Sequence, residues 1–221
     1  MKFSKILVLA ALLFSFTLFA DDATQIATKI LGRYNDIKSF STNFSRVFIQ
    51  SSTGKKTTDG GTISFIAPSN IRMDVFTDGK LTEQTFVDAK QTVLIYHSKK
   101  SALVRKSSSE ASDYLVFLKG LPEVEKRFTV TDSTGTIEKA KKTGMTIKPG
   151  SEMLKLTPKN PIPNVKYIFI TAINGEIDSV IIIDQLKNIN QFTFSGIKLN
   201  PALDKKSFDS SIPKGFEVSD F

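Results

Sequence analysis

The chain has 221 residues, a formal net charge of +8 at pH 7, 18 phenylalanines, one histidine, and neither cysteine nor tryptophan. Without cysteine there is no disulfide framework, and a single histidine leaves a zinc site without its usual ligands. The basic residues come as scattered pairs, among them Lys55-Lys56, Lys99-Lys100 and Lys205-Lys206. They read as a solvated surface, with attraction to anionic membranes or an acidic partner as the sharper alternative. Nucleic acid is not an expected partner, because no basic stretch carries interleaved aromatic stacking platforms.

Lys2 and Lys5, the uncharged apolar run from Ile6 to Phe19, and Ala20 predict a secretory signal peptide over residues 1–20. The remaining residues, 21–221, make a single domain's worth of chain. Residues 23–34 predict an amphipathic helix with Ile26, Ile30, Leu31 and Tyr34 on one side, capped by Asp21 or Asp22. At residues 40–50 the period changes to that of a strand, with Phe40, Phe44 and Phe48 on one face. A polar turn leads into residues 62–67, where Ile63 and Phe65 share a face before Pro68 interrupts.

A meander of short strands follows at residues 70–76, 81–88, 92–97 and 102–106, with turns at Asp78-Gly79, Asp88-Ala89-Lys90 and Ser98-Lys99-Lys100. Ile71, Met73 and Val75 alternate with Arg72 and Asp74, so one face is apolar and the other wet. Residues 109–119 predict a helix that is apolar over most of its girth and is ended by Gly120 and Pro122. Residues 127–132 form a strand. Residues 133–150 are polar and weakly patterned, with Met145 and Ile147 suggesting a short strand. A clearer strand lies at residues 153–157. Asn174-Gly175 then marks a hairpin between residues 166–173 and 177–184. Ile181-Ile182-Ile183 is apolar on both faces, as in a central strand. Phe192 and Phe194 share a face in the next strand, residues 191–199. Asn200-Pro201 reads as a helix start, and residues 213–218 as a last strand or edge.

The sum is ten to twelve strands with two or three short helices and no strand–helix–strand rhythm. That predicts a mainly β, α+β fold with a single antiparallel sheet curled into an unclosed barrel. Chemistry is absent from this pattern. His97 has no second histidine or cysteine, no serine sits in a nucleophile elbow, and the glycines form no phosphate loop. The chain is therefore not expected to be an enzyme or to carry a cofactor or metal. Its surplus is phenylalanine. A curled sheet covered only by short helices has a large concave face, and an open barrel of this kind encloses a ligand cavity. A lining of Phe, Ile, Leu, Met and Val suits acyl chains, whose burial is worth roughly 0.8 kcal/mol per methylene.

Six segments in order resemble the LolA family of outer-membrane lipoprotein carriers. They are Phe40 to Ser45, Gly60-Gly61-Thr62-Ile63, Pro68 with Ile71 to Val75, Asp88-Ala89-Lys90 with Leu94 and Tyr96, Leu115 to Gly120, and Ser207-Phe208 with Pro213 to Val218. The resemblance implies a lid of about three short helices, at residues 23–34, 109–119 and 200–203, with Ile26, Ile30, Leu115, Leu118 and Leu203 facing the cavity. It implies acyl chains bound against Phe44, Phe48, Ile63, Phe65, Ile71, Met73 and Val75, with Phe192 and Phe194 as further members. It also implies a monomeric periplasmic chaperone that takes lipidated lipoproteins from an inner-membrane ATP-driven releasing complex to an outer-membrane acceptor. The alternatives are a LolA-like carrier of another lipid or glycolipid, and a lipid-sensing or interaction domain without transport. Ala67 stands where better-known members have an Arg that holds the lid shut.

Overall fold

A computed structural model describes residues 21–106 and 115–220 of the chain. The expected signal peptide and the first half of the expected 109–119 helix lie outside the described residues. After helix α1 (Asp21–Leu31) come six strands: β1 (Ser39–Ile49), β2 (Lys56–Ile66), β3 (Asn70–Thr77), β4 (Lys80–Val87), β5 (Gln91–Tyr96) and β6 (Ser101–Lys106). Helix α2 (Leu121–Arg127), β7 (Phe128–Asp132) and α3 (Ile137–Lys142) follow. The chain closes with β8 (Glu152–Pro158), β9 (Tyr167–Ile173), β10 (Glu176–Ile183), β11 (Ile189–Leu199) and β12 (Glu217–Asp220).

The twelve described strands form one sheet in the order β12-β6-β5-β4-β3-β2-β1-β11-β10-β9-β8-β7. Every pair is antiparallel except β12 with β6. The sheet does not close on itself, as expected from the sequence. Local chemistry explains the hairpins. Asp78 and Gly79, and again Asn174 and Gly175, have positive φ at both central positions, the requirement of a two-residue turn whose twist matches the strands. Asp88 Oδ1 accepts from the backbone N–H groups of Lys90 and Gln91 at 2.6 and 2.8 Å, which closes the β4–β5 turn. Gly61 has to be glycine, because a Cβ there would sit 1.8 Å from the Asp74 carbonyl oxygen and 2.9 Å from the Phe44 ring.

The sheet has an inner face, carrying α1 and residues 115–118, and an outer face. The inner core joins Ile30, Leu31 and Tyr34 to Phe40, Phe44, Phe117, Ile182 and Phe194. On the outer face, Met145 and Ile147 pack with Ile181, Ile183 and Ile189 under α3. Central strand β10 is thus buried on both sides, the reason for its unbroken isoleucines.

Several expectations are corrected. The three described α-helices are not the expected three. The described part of the expected helix, residues 115–119, is 3-10 and ends at Gly120, whose N–H donates to the Phe117 carbonyl at 3.0 Å. Gly120, at φ 78°, caps the start of α2, and Pro122 lies in its first turn, where its missing N–H is no loss. Residues 115–119 form only a 3-10 turn. Residues 133–150 hold α3 and no strand, and Met145 and Ile147 serve as plugs for the outer core. No helix begins at Asn200. Its side chain accepts from Lys38 N at 2.7 Å, Ser39 Oγ donates to the Pro201 carbonyl at 2.6 Å, and Asn200 itself has positive φ. Those contacts tie the segment to the start of β1. The helical turn comes later, at Lys205–Phe208, capped by Asp204.

The face carrying Arg72 and Asp74 is not wet. The C-terminal segment crosses it. There, Arg72 Nη1 donates to the Ser207 carbonyl at 2.7 Å, Arg72 Nε donates to Asp74 at 2.9 Å, and Gln84 Nε2 donates to Asp74 at 2.8 Å. Ile212 and Phe216 cover Phe86, Val93 and Ile95 beside them.

Candidate functional site

The inner face is filled at one end and hollow in the middle. At the filled end Tyr34, Phe40, Phe117 and Phe194 make a chain of aromatic contacts with centroids 5.5 to 6.4 Å apart. Beyond them lies a cavity of about 380 Å³ between β2–β6 and the facing residues Val180, Phe192, Pro163 and Asn164. Its volume falls within the range of ligand pockets, roughly 300–1,000 Å³.

The lining follows from register. Ile71 pairs with Val87 and Met73 with Thr85 across β3 and β4, and Thr85 pairs with Leu94 across β4 and β5. Directly paired residues share a face, so one alternating set floors the cavity. Ile63 from β2 and Leu115 from the 3-10 turn join it.

Of the residues expected at the site, Ile63, Ile71, Met73, Phe192 and Phe194 border the cavity together. Phe65 and Val75 are on the same face but inside the packed core, as is Phe44, whose ring meets Phe192 at 5.4 Å. Phe48 is half-buried near the end of β1 and borders neither. Among the expected lid residues, Ile26, Ile30, Leu115 and Leu118 pack on the inner core, and Leu115 also borders the cavity. Leu203 is half-buried in irregular chain and belongs to none of the core clusters.

Sequence reasoning missed the polar end of the cavity. Arg46, Glu83 and Tyr96 border it where the β1–β2, β3–β4 and β5–β6 hairpins turn. Arg46 holds Asp59, its cross-strand partner, in a two-pronged ion pair, with Nε donating to Oδ1 at 2.8 Å, and stands 4.0 Å from Glu83. Its guanidinium also lies 6.0 Å from the Phe192 ring centre. Burial raises the Tyr96 phenol, and Glu83 adds to that while Arg46 opposes it. Tyr96 therefore presents a neutral hydroxyl. The signal was available: Arg46 shares the parity of Phe40 and Phe44 on β1, and Glu83 that of Thr85 on β4. The hairpin end of the cavity thus carries charge and a hydroxyl and its middle is mainly hydrocarbon, while Thr92 and Arg105, paired across β5 and β6, border the far end. Nothing in it supplies a nucleophile with a base.

With Ala67 in place of a latching Arg, other contacts hold α1. Lys29 Nζ meets Glu152 at 2.7 Å, and the Tyr34 hydroxyl accepts from Ile177 N at 3.4 Å. Asn35 Oδ1 accepts from Leu121 N at 2.9 Å, joining the end of α1 to α2. A second depression, about 350 Å³, lies by Arg33, Lys148, Glu176 and Asp178. Its charges pair with each other, Lys148 with Asp178 at 2.5 Å, and its lining is more polar than apolar despite Ile173, Ile177 and Ile197.

The family model described as outer membrane lipoprotein carrier protein LolA matches residues 35–211. A protein of Cupriavidus pinatubonensis described as an outer-membrane lipoprotein carrier protein is 30% identical over 138 residues, which cover 62% of this chain and 59% of that protein's length. One of Neisseria meningitidis serogroup C with the same description is 24% identical over 212 residues, 93% of this chain and 96% of the relative. In overall fold the chain is similar to a crystal structure of an uncharacterized conserved protein from Thermus thermophilus. That match has a TM-score of 0.52 and 8% identity, and it covers 90% of this chain and 99% of the other.

Proposed function

The chain belongs to the LolA family of outer-membrane lipoprotein carrier proteins, a family of transport proteins rather than enzymes, and we propose that it carries its cargo by taking an acyl chain into the cavity between β2–β6 and Phe192. The observation that supports this reading is the cavity's hydrocarbon middle next to a charged hairpin end. Ile63, Ile71, Met73 and Leu94 receive hydrocarbon, and Arg46, Glu83 and Tyr96 stand where the chain meets its polar anchor. Each methylene transferred is worth roughly 0.8 kcal/mol.

Room for longer or additional chains comes from the Leu115 side chain rather than from lifting α1. Lifting α1 uncovers Ile30, Leu31 and Tyr34, apolar groups worth about 1.5–3 kcal/mol each. Leu115 already borders the cavity, and moving its side chain alone enlarges that space while Val116, Phe117 and Leu118 stay buried. The refilling of that space by the chain's own side chains competes with cargo and keeps affinity low enough for release. In this reading the protein is exported by a signal peptide at residues 1–20 and works as a monomer in the periplasm. It accepts lipoproteins from an ATP-driven inner-membrane complex and delivers them to an outer-membrane acceptor.

The test is binding of one cargo in lipidated and unlipidated forms to wild type and to Met73→Glu. Met73 is the better site for a charge than Ile71, which is only 4% exposed and would force a carboxylate into packed interior. The expected result is binding of the lipidated form alone, weakened more than tenfold in the variant at unchanged melting temperature. Equal binding of both forms refutes carriage. Mass spectrometry of lipids that copurify distinguishes lipoprotein from another lipid.

A further inference from the structure

The hairpin end of the sheet carries lysines that do not border the cavity. In an antiparallel meander the β1–β2, β3–β4 and β5–β6 turns fall at the same end. The β10–β11 turn joins them, since Ser51 N donates to Asn188 Oδ1 at 2.9 Å. Residues 50–56, 78–80, 97–100 and 184–188 hold six lysines, Lys55, Lys56, Lys80, Lys99, Lys100 and Lys187, all exposed, against two carboxylates, Asp78 and Asp184. Asp184 is already engaged, accepting from the backbone and side chain of Asn188 at 2.8 and 2.7 Å.

The same end carries exposed hydrocarbon. Leu186, beside Lys187 at the tip of the β10–β11 turn, is 77% exposed, and Phe76, two residues before Asp78, is 37% exposed. These are two of the four large apolar side chains left exposed among the described residues. Leu186 belongs to none of the core clusters and leaves its hydrocarbon in water at the turn tip. Strand spacing of about 4.8 Å puts alternate tips roughly 10 Å apart, so the lysines spread over a broad front rather than one pocket.

From this arrangement we infer that the hairpin end is a membrane-docking surface: the lysines settle on an anionic lipid surface and Leu186 enters the headgroup layer. Lysine attraction to anionic lipid and insertion of apolar side chains are additive. A protein partner fits less well. Protein interfaces are depleted in lysine and anchored by aromatic and arginine side chains in pockets, whereas this front has six dispersed lysines and a protruding leucine. The docking end is also the end of the cavity where Arg46, Glu83 and Tyr96 lie. Docking there points that end at the bilayer, the orientation in which an acyl chain passes between membrane and cavity without crossing water.

The experiment is co-sedimentation of the exported protein, recovered from the periplasm of an expression host, with vesicles. One set is phosphatidylcholine alone and the other contains about one third phosphatidylglycerol. The expected result is binding to the anionic vesicles alone, abolished by high salt. Each lysine near the surface accounts for roughly fivefold in affinity, so K55E with K56E weakens binding more than tenfold, and Leu186→Ala weakens it severalfold. Both variants keep the wild-type melting temperature and cargo affinity. Met73→Glu, which empties the cavity of lipid, binds vesicles as wild type does, so loss of cargo binding and loss of docking are read separately. Equal binding to both vesicle types, or loss of binding in Met73→Glu with none in K55E/K56E, overturns the inference. Absence of binding to either vesicle also overturns it and assigns the lysines to an acidic protein.

Discussion

Strands β4 and β10 are both eight residues long and lie in one sheet, yet they do different work. In β10 seven consecutive residues are buried. Val180 and Ile182 face the inner core, Ile181 and Ile183 the outer one. In β4 only Phe86 and Val87 are buried, and five residues are half-open, with Glu83 and Thr85 on the cavity. The same sheet holds a filled half that fixes the fold and a hollow half that is left for a guest. Stability is concentrated where packing is dense, so the hollow half can be altered or occupied without loosening the rest.

That contrast is broken most directly by truncation in the filled half. Ile181→Ala, at a site with no exposure, is expected to lower unfolding free energy by about 2–5 kcal/mol and to leave lipid affinity unchanged, as read by denaturant melts and a binding titration. The matching cut in the hollow half, Leu94→Ala, is expected to reverse the pattern. It should cost about 1 kcal/mol or less in stability, because a half-open side chain has few neighbours to lose. It should also weaken lipid binding about fivefold for the methylenes it no longer covers. A large stability loss at Leu94 would show that the cavity wall is structural.

A smaller effect sharpens the comparison by pH. Burial raises the Tyr34 phenol, and the hydrogen bond from Ile177 only partly offsets this. In the unfolded chain the group titrates near 10. Its contribution is therefore whole below about pH 10 and is lost as pH rises through the higher folded-state value. Tyr34→Phe removes that alkaline sensitivity, and the stability profile between neutral pH and about pH 11 should flatten by a few tenths of a kcal/mol up to about 1. An unchanged alkaline limb would mean that Tyr34 ionises as easily folded as unfolded.

Much of the fold was legible because the signals were local. Asn174-Gly175 and Asp78-Gly79 demanded their turns, and the alternation of Ile71, Met73 and Val75 assigned a face. Alternation does not say what lies over that face. Val75 and Phe65 sit under the packed end and Met73 under the hollow, and only tertiary cover separates them. The helices were harder. Gly120 and Pro122 suit either the end of one helix or the start of the next, and Gly120, at positive φ beside Asn35, serves as both, closing the 3-10 run and capping α2. At Asn200 a long-range hydrogen bond to Lys38 outcompeted the local cap. The polar end of the cavity went unread because charged residues on strands suggest solvent, whereas Arg46 turns inward to Asp59.

Strand β12 adds one more consequence. All four of its residues are exposed, and it is held to β6 by backbone pairing and by the Glu217 N–H on the Lys100 carbonyl at 2.9 Å. It contributes little to the core, yet it occupies the hydrogen-bonding edge that Ala102, Leu103 and Val104 would otherwise present to another chain. An open sheet meets the hazard of edge-to-edge association at its margins. A chain shortened by its last few residues should fold and bind lipid as before, and should self-associate on concentration.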